Sequence, residues 1–139
     1  MINFFYETKS KLLEEAKLKT WIDQVVLSEK KTLGEINYIF CDDEYLLKIN
    51  QDFLSHDTYT DIISFDNTMG NELGGDIFIS LERVAENARI FKASFEEEVR
   101  RVMAHGVLHF CGYKDKTTNE AGLMRDKENE KLAMFHVEQ

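Results

Sequence analysis

The residues best suited to chemistry lie in one stretch, His105-Gly-Val-Leu-His109-Phe-Cys-Gly112-Tyr-Lys-Asp115. Two histidines at i and i+4 on a helix lie about 40° apart around its axis and one turn along it, so both imidazoles can share one ion. Gly112 allows a tight reversal at the helix end, and Asp115 is the first oxygen ligand that such a reversal returns to the same ion. Three protein ligands leave one coordination position for water, which is the catalytic rather than the structural arrangement, and the chemistry it points to is hydrolysis. In the zinc peptidases a glutamate follows the first histidine and acts as general base, whereas here that position is Gly106. Glu98, on the same line of the helix, lies seven residues back and so about 10 Å away along the axis. Peptidase chemistry of that type is not expected.

The elements that must position these ligands follow from hydrophobic spacing. In helical projection Val99, Val102, Met103, Gly106 and Phe110 share one arc, with the histidines at its edge, where a site floored by the core but open to water would lie. Ser94 with Glu97 three residues on is a capping box that starts this helix, predicted over 94–111, and Gly112 ends it. Upstream, 1–6 reads as a strand. Leu12, Leu13, Ala16, Trp21, Ile22, Val25 and Val26 predict a helix over 9–27. Ile36, Tyr38 and Phe40 alternate as in a strand, and Asp42-Asp43 caps a short helix through Leu46, Leu47 and Ile49. Runs at 60–65 and 76–80, the second after a Gly74-Gly75 turn, predict neighbouring antiparallel strands; helices follow at 81–93, 94–111 and 118–135. The order βαβαββ and then three helices implies an α+β fold, a mixed sheet of about four strands packed with helices, with the metal site at the C-terminal end of a central helix.

A chain of 139 residues with 43% hydrophobic side chains, no proline and seven glycines shows no linker and is expected to form one domain over 1–139. The apolar run at 1–6 is too short for a secretory signal, and no stretch approaches the ~18 apolar residues of a membrane span, so a cytoplasmic protein with no membrane partner is expected. Cys41 and Cys111 make no disulfide framework and read as reduced, buried thiols. A net charge of -9 argues against gripping nucleic acid over the whole surface. Between positions 100 and 131, however, seven Lys or Arg face five Asp or Glu, and a bound divalent cation would make that region the one place that tolerates a phosphate-bearing substrate.

The string His105-Gly-Val-Leu-His109-Phe-Cys-Gly-Tyr113, with Thr-Asp-Ile-Ile-Ser-Phe at 60–65 and Gly-Asp-Ile-Phe-Ile-Ser at 75–80, resembles the YbeY family of ribosomal-RNA maturation endoribonucleases. The three blocks fall in the family's order and spacing across nearly the whole chain. The resemblance implies a single-strand endoribonuclease that matures the 3′ end of small-subunit ribosomal RNA and serves ribosome quality control. It also implies a cytoplasmic location, ribosomal RNA and ribosomal or ribosome-associated proteins as partners, no nucleotide cofactor, and one zinc ion held by three histidines. Here the third histidine is replaced by Asp115, with Lys114 where the family has aspartate and Lys116 just beyond. Aspartate ligates zinc at about 2.0 to 2.2 Å and, being harder, widens the choice towards other divalent transition metals. Leu54 stands where many relatives carry an arginine implied to hold the RNA phosphate; Arg101, Lys114 and Lys116 are the candidates to supply that charge.

Other residues fit the same frame. Asp61 and Asp76 are candidate acceptors to orient an imidazole. Ser64 reads as a strand residue within reach of substrate, His56 as a loop residue and His136 as tail. The expected mechanism is water activation and phosphate polarisation by the ion, with the general acid unassigned. Two alternatives accompany it: a non-catalytic ribosome-assembly factor with a structural metal, and a small metallohydrolase acting on another substrate.

Overall fold

The structure, a computed structural model, describes residues 1–55 and 59–137, the last two as helical backbone alone. Its elements are β1 (Ile2–Glu7), α1 (Glu15–Ser28), β2 (Thr32–Cys41), α2 (Asp43–Leu54), β3 (Ile62–Asp66), β4 (Glu72–Ser80), α3 (Leu81–Phe91), α4 (Phe95–Phe110) and α5 (Thr118–Val137). The order is the one read from the sequence. The four strands form one mixed sheet, β1-β2-β4-β3, with β1 and β4 parallel to β2 and β3 antiparallel to β4.

Alternation in β2 builds the main core. Ile36, Tyr38 and Phe40 point to one face, are fully buried, and pack with Ile77 and Ile79 of β4 beneath α1, α3 and α4. The Tyr38 hydroxyl donates to the Met103 carbonyl (2.9 Å), tying the sheet to the middle of α4. On the other face Cys41, Leu46 and Ile63, with Phe65 and Phe78, form a smaller cluster under α2. Burial pushes the Cys41 thiol up to about 12, as expected of an inert buried cysteine.

Two boundaries differ from the expectation. Helix α1 starts at Glu15 rather than near residue 9, because Glu14 adopts left-handed backbone (φ 59°). The Tyr6 hydroxyl accepts the Leu12 amide (3.3 Å) and donates to the Glu15 carboxylate (2.5 Å), holding the connection to β1 out of the helix. Gly74-Gly75 is not the turn. It lies inside β4, and the reversal occurs around Gly70 (φ 61°). At Gly75 (φ 150°) a Cβ would stand 2.3 Å from the Phe65 carbonyl and 2.7 Å from Phe110 Cζ, so this glycine serves the close approach of β3 and α4.

Helix α4 runs through the middle of the molecule, against β3, β4, α1, α3 and α5. Ser94 Oγ accepts the Glu97 amide (3.0 Å), as the capping box requires. Gly106 allows the helix to lie close on the sheet: a Cβ there would meet Ile77 Cδ1 at 2.9 Å and Ile62 Cδ1 at 3.2 Å. The position that carries a general base in the peptidases is here a helix-to-sheet contact.

Candidate metal centre

The last two turns of α4 carry His105 and His109 at the rim of the core. The helix then closes with a Schellman motif: the Tyr113 amide donates to the Leu108 carbonyl (3.1 Å) and the Gly112 amide to the His109 carbonyl (2.9 Å), with Gly112 at φ 105°. Seven residues later α5 begins with its own cap. Glu120 Oε1 accepts the Lys116 and Thr117 amides (3.2 and 3.0 Å), and Thr117 Oγ1 accepts the Glu120 amide (3.1 Å). Between the caps the Tyr113 hydroxyl donates to Glu29 Oε1 at the end of α1 (2.8 Å). Glu29 in turn takes Lys127 Nζ (2.9 Å) and the fully buried Lys131 Nζ (2.6 Å). Burial alone would raise the Glu29 pKa; the hydrogen bonds from Lys131, Lys127 and Tyr113 outweigh it and hold it down at about 2. The loop is thus pinned at both ends and in its middle, and it returns Asp115 to the histidines.

The three predicted ligands come together. His105 Nε2 and His109 Nε2 are 3.0 Å apart, and Asp115 Oδ2 is 3.2 Å from the first and 3.4 Å from the second. Three ligands of a tetrahedral zinc ion at ~2.0–2.1 Å stand about 3.3 Å from one another, so the edges of this triangle match such a ligand set. His105 Nδ1 donates to Glu128 Oε2 (2.7 Å), which commits the other ring nitrogen, Nε2, to present a lone pair to the site. Glu128 Oε1 is engaged by Arg101 Nη1 (3.2 Å) and approached by Arg125 Nη1 (3.6 Å). Burial opposes a charged Glu128, but the bonds from His105 and Arg101 prevail and lower its pKa. Burial likewise opposes protonation of His105, and Glu128, Asp115 and Asp61 together reverse that and raise its pKa. A field that favours a proton there favours any cation.

His105, His109 and Asp115 open onto a pocket of about 440 Å³, within the range of small-ligand sites. Four carboxylates (Asp61, Glu98, Asp115, Glu128) and two guanidinium groups (Arg101, Arg125) line it, so its ionised side chains sum to -2 before any ion enters. Burial raises the pKa of Asp61 and of Glu98. Of the candidate phosphate contacts, Arg101 lines the pocket; Lys114 and Lys116 are not among its lining residues. Leu54 is exposed at the end of α2 and is not part of the lining either. Ser64 is.

The acceptor behind the imidazole is Glu128, not Asp61 or Asp76. Asp61 lines the pocket and accepts from Asn87 Nδ2 (3.4 Å), while Asp76 accepts from Asn37 Nδ2 (3.0 Å) away from the site. Glu128, Arg125, Asn87 and Phe91 escaped the sequence reading because only the packing of α3 and α5 on α4 brings them to the pocket. Burial pushes the Cys111 thiol up to about 11, which disfavours the thiolate a metal would need. His56 lies outside the described residues, as does the side chain of His136.

Known proteins match this chain along its length. The family model described as Endoribonuclease YbeY matches residues 3–136. A protein of Flavobacterium johnsoniae named Endoribonuclease YbeY is 64% identical over 139 residues, covering 100% of both chains. One of the same name from Christiangramia forsetii is 61% identical over 138 residues, covering 99% of this chain and 96% of its own. A Thermotoga maritima protein whose structure was determined in solution superposes with a TM-score of 0.74 at 29% identity, over 99% of this chain and 91% of that one.

Proposed function

The chain belongs to the YbeY family, and from that premise we propose that it is a metal-dependent endoribonuclease that cuts single-stranded RNA in maturing the 3′ end of small-subunit ribosomal RNA and in ribosome quality control. The observation that carries the reading is the triangle of donor atoms, 3.0 to 3.4 Å on a side, backed by Glu128. His105, His109 and Asp115 are the residues that would hold the ion, and zinc is the ion their nitrogen and oxygen donors suit. When bound, the ion supplies Lewis acidity for phosphodiester hydrolysis near neutral pH.

The chain's own residues do the rest. Glu128 orients His105 and sets the tautomer of its neutral ring whose Nε2 lone pair faces the site. Arg101, held by Glu128 at one edge of the pocket, and the more exposed Arg125 offer positive charge to an entering phosphate. Val102 and Ile62 form the apolar part of the wall. The four carboxylates repel a polyanion until a cation offsets them, which makes RNA entry dependent on metal. Gly106, committed to packing, leaves no general base at the position that carries one in the zinc peptidases. The relatives' names favour an enzyme over a binding-only assembly factor.

The reading takes 1–139 as one domain that works in the cytoplasm with ribosomal RNA and ribosomal or ribosome-associated proteins. No described helix is long and apolar enough to cross a membrane. The test is cleavage of an end-labelled single-stranded oligoribonucleotide by zinc-loaded protein. His109→Ala is expected to lose both bound metal and cleavage; a variant that cut like wild type in a nuclease-free preparation would overturn the assignment.

A further inference from the structure

We propose that Phe91, with Asn87 one turn before it, is the surface on which a base of the RNA strand stacks beside the metal centre. The inference rests on the endoribonuclease reading. Phe91 ends α3 with 60% of its surface exposed, and among the exposed large apolar side chains of the described residues it is the one that lines the pocket of His105, His109 and Asp115. No ring of a described residue stacks on it, although such ring pairs are frequent elsewhere in the molecule. Beside the carboxylates, guanidinium groups and imidazoles of a pocket whose other apolar wall is Val102 and Ile62, this phenyl offers a π face that no described ring covers.

The backbone that carries the ring is held. Lys92 turns left-handed (φ 57°) to cap the helix, and the Ala93 amide closes back on the Ala88 carbonyl (2.9 Å), so the backbone beneath Phe91 is fixed and only two side-chain torsions are ordered on binding. Asn87 lies at i-4, on the same face of α3, and lines the same pocket. Its amide nitrogen reaches Asp61 Oδ2 (3.4 Å), which orients the group. Aromatic stacking is sequence-tolerant, and an amide adds one polar contact to a base edge. The arrangement also selects for single strands, because in a duplex the base is already stacked and paired and its face is unavailable to Phe91. Arg101 and Arg125, in the same pocket, then meet the adjoining phosphates.

The test uses the full-length zinc-loaded protein and labelled single-stranded oligoribonucleotides, one normal and one carrying abasic riboses at successive positions. KM and kcat are read from cleavage, and Kd from fluorescence anisotropy. Phe91→Ala is expected to raise both KM and Kd for the normal strand about tenfold, within the span of stacking effects, with kcat changed less than about twofold. Phe91→Trp restores the wild-type values, and all three proteins bind the abasic strand alike. Ile90→Ala, at a neighbouring exposed position outside the pocket lining, serves as the surface control and leaves Kd unchanged. Unchanged KM and Kd in Phe91→Ala, in a preparation whose cleavage is abolished by His109→Ala, would overturn the platform while leaving the nuclease reading intact. If the wild type does not cleave at all, the nuclease reading fails and anisotropy decides the platform alone: a tenfold loss that Trp repairs upholds it, and equal binding refutes it.

Discussion

Replacing Glu128 by glutamine should weaken zinc binding by about 10- to 100-fold without unfolding the protein. The side chain is 6% exposed, and its two oxygens serve different partners: Oε2 takes His105 Nδ1 at 2.7 Å and Oε1 takes Arg101 at 3.2 Å. Glutamine fills the same space but brings one acceptor instead of two and no charge. If its oxygen stays on His105, a charge-assisted bond becomes a neutral one, the imidazole loses basicity at Nε2, and the field at the ion loses one negative charge. If its oxygen turns to Arg101, the amide nitrogen faces Nδ1 and His105 must take the wrong tautomer to ligate. Either way the loss corresponds to about 1.4 to 2.7 kcal/mol of binding free energy. The assay is competition for zinc against a fluorescent chelator at fixed pH, with thermal unfolding of the apoprotein run in parallel. Arg125→Ala provides the contrast: this side chain is 54% exposed and 3.6 Å from the carboxylate, so its loss should change zinc affinity less than about threefold. A Glu128→Gln protein that binds zinc as tightly as wild type would refute the idea that this carboxylate sets the histidine for the metal.

Asp115→Ala is expected to lose bound metal in elemental analysis of tag-free protein, whereas Asp115→His, which supplies an imidazole nitrogen in place of the carboxylate oxygen, retains one ion per chain; equal metal in wild type and Asp115→Ala would remove Asp115 from the ligand set. At the loop's anchor, Lys131→Met should cost about 2 to 3 kcal/mol in denaturant unfolding, less than the ~3–5 of a fully orphaned buried charge, because Lys127 and Tyr113 remain on Glu29. Its pH signature follows from the low Glu29 pKa: a carboxyl at about 2 in the folded chain and 4.5 ordinarily stabilises fully above pH 4.5 and loses that contribution as pH falls towards 2. The wild type should therefore lose more stability than Lys131→Met across that window, and parallel curves would refute the role of the ion pair.

Much of the fold was legible because it rests on local rules. The alternation of Ile36, Tyr38 and Phe40, the helical spacing around Trp21 and Val25, and the Ser94 and Glu97 cap each demand one kind of element, and the element order then implies a mixed sheet under helices. The readings that shifted were those where a distant contact decided. Tyr6 held residues before Glu15 out of α1, and the approach of Phe65 and Phe110 put Gly75 inside a strand rather than in a turn. A glycine in sequence says that a Cβ is unwelcome; only the neighbours say whether the reason is a reversal or a close contact.

The candidate ligands divide along the same line. His105, His109, Gly112 and Asp115 are separated by spacings that a helix and one Schellman turn convert directly into proximity, so sequence alone determined that these three donors could meet. Glu128 is 23 residues from His105 on a different helix, and Arg125, Asn87 and Phe91 likewise lie on other helices, with nothing in their spacing to mark them. The tertiary structure decided which carboxylate orients the imidazole, which cations reach the pocket and which ring faces it, because those depend on how α3 and α5 pack against α4, and helix packing is set by the summed burial of whole faces rather than by any short run of residues.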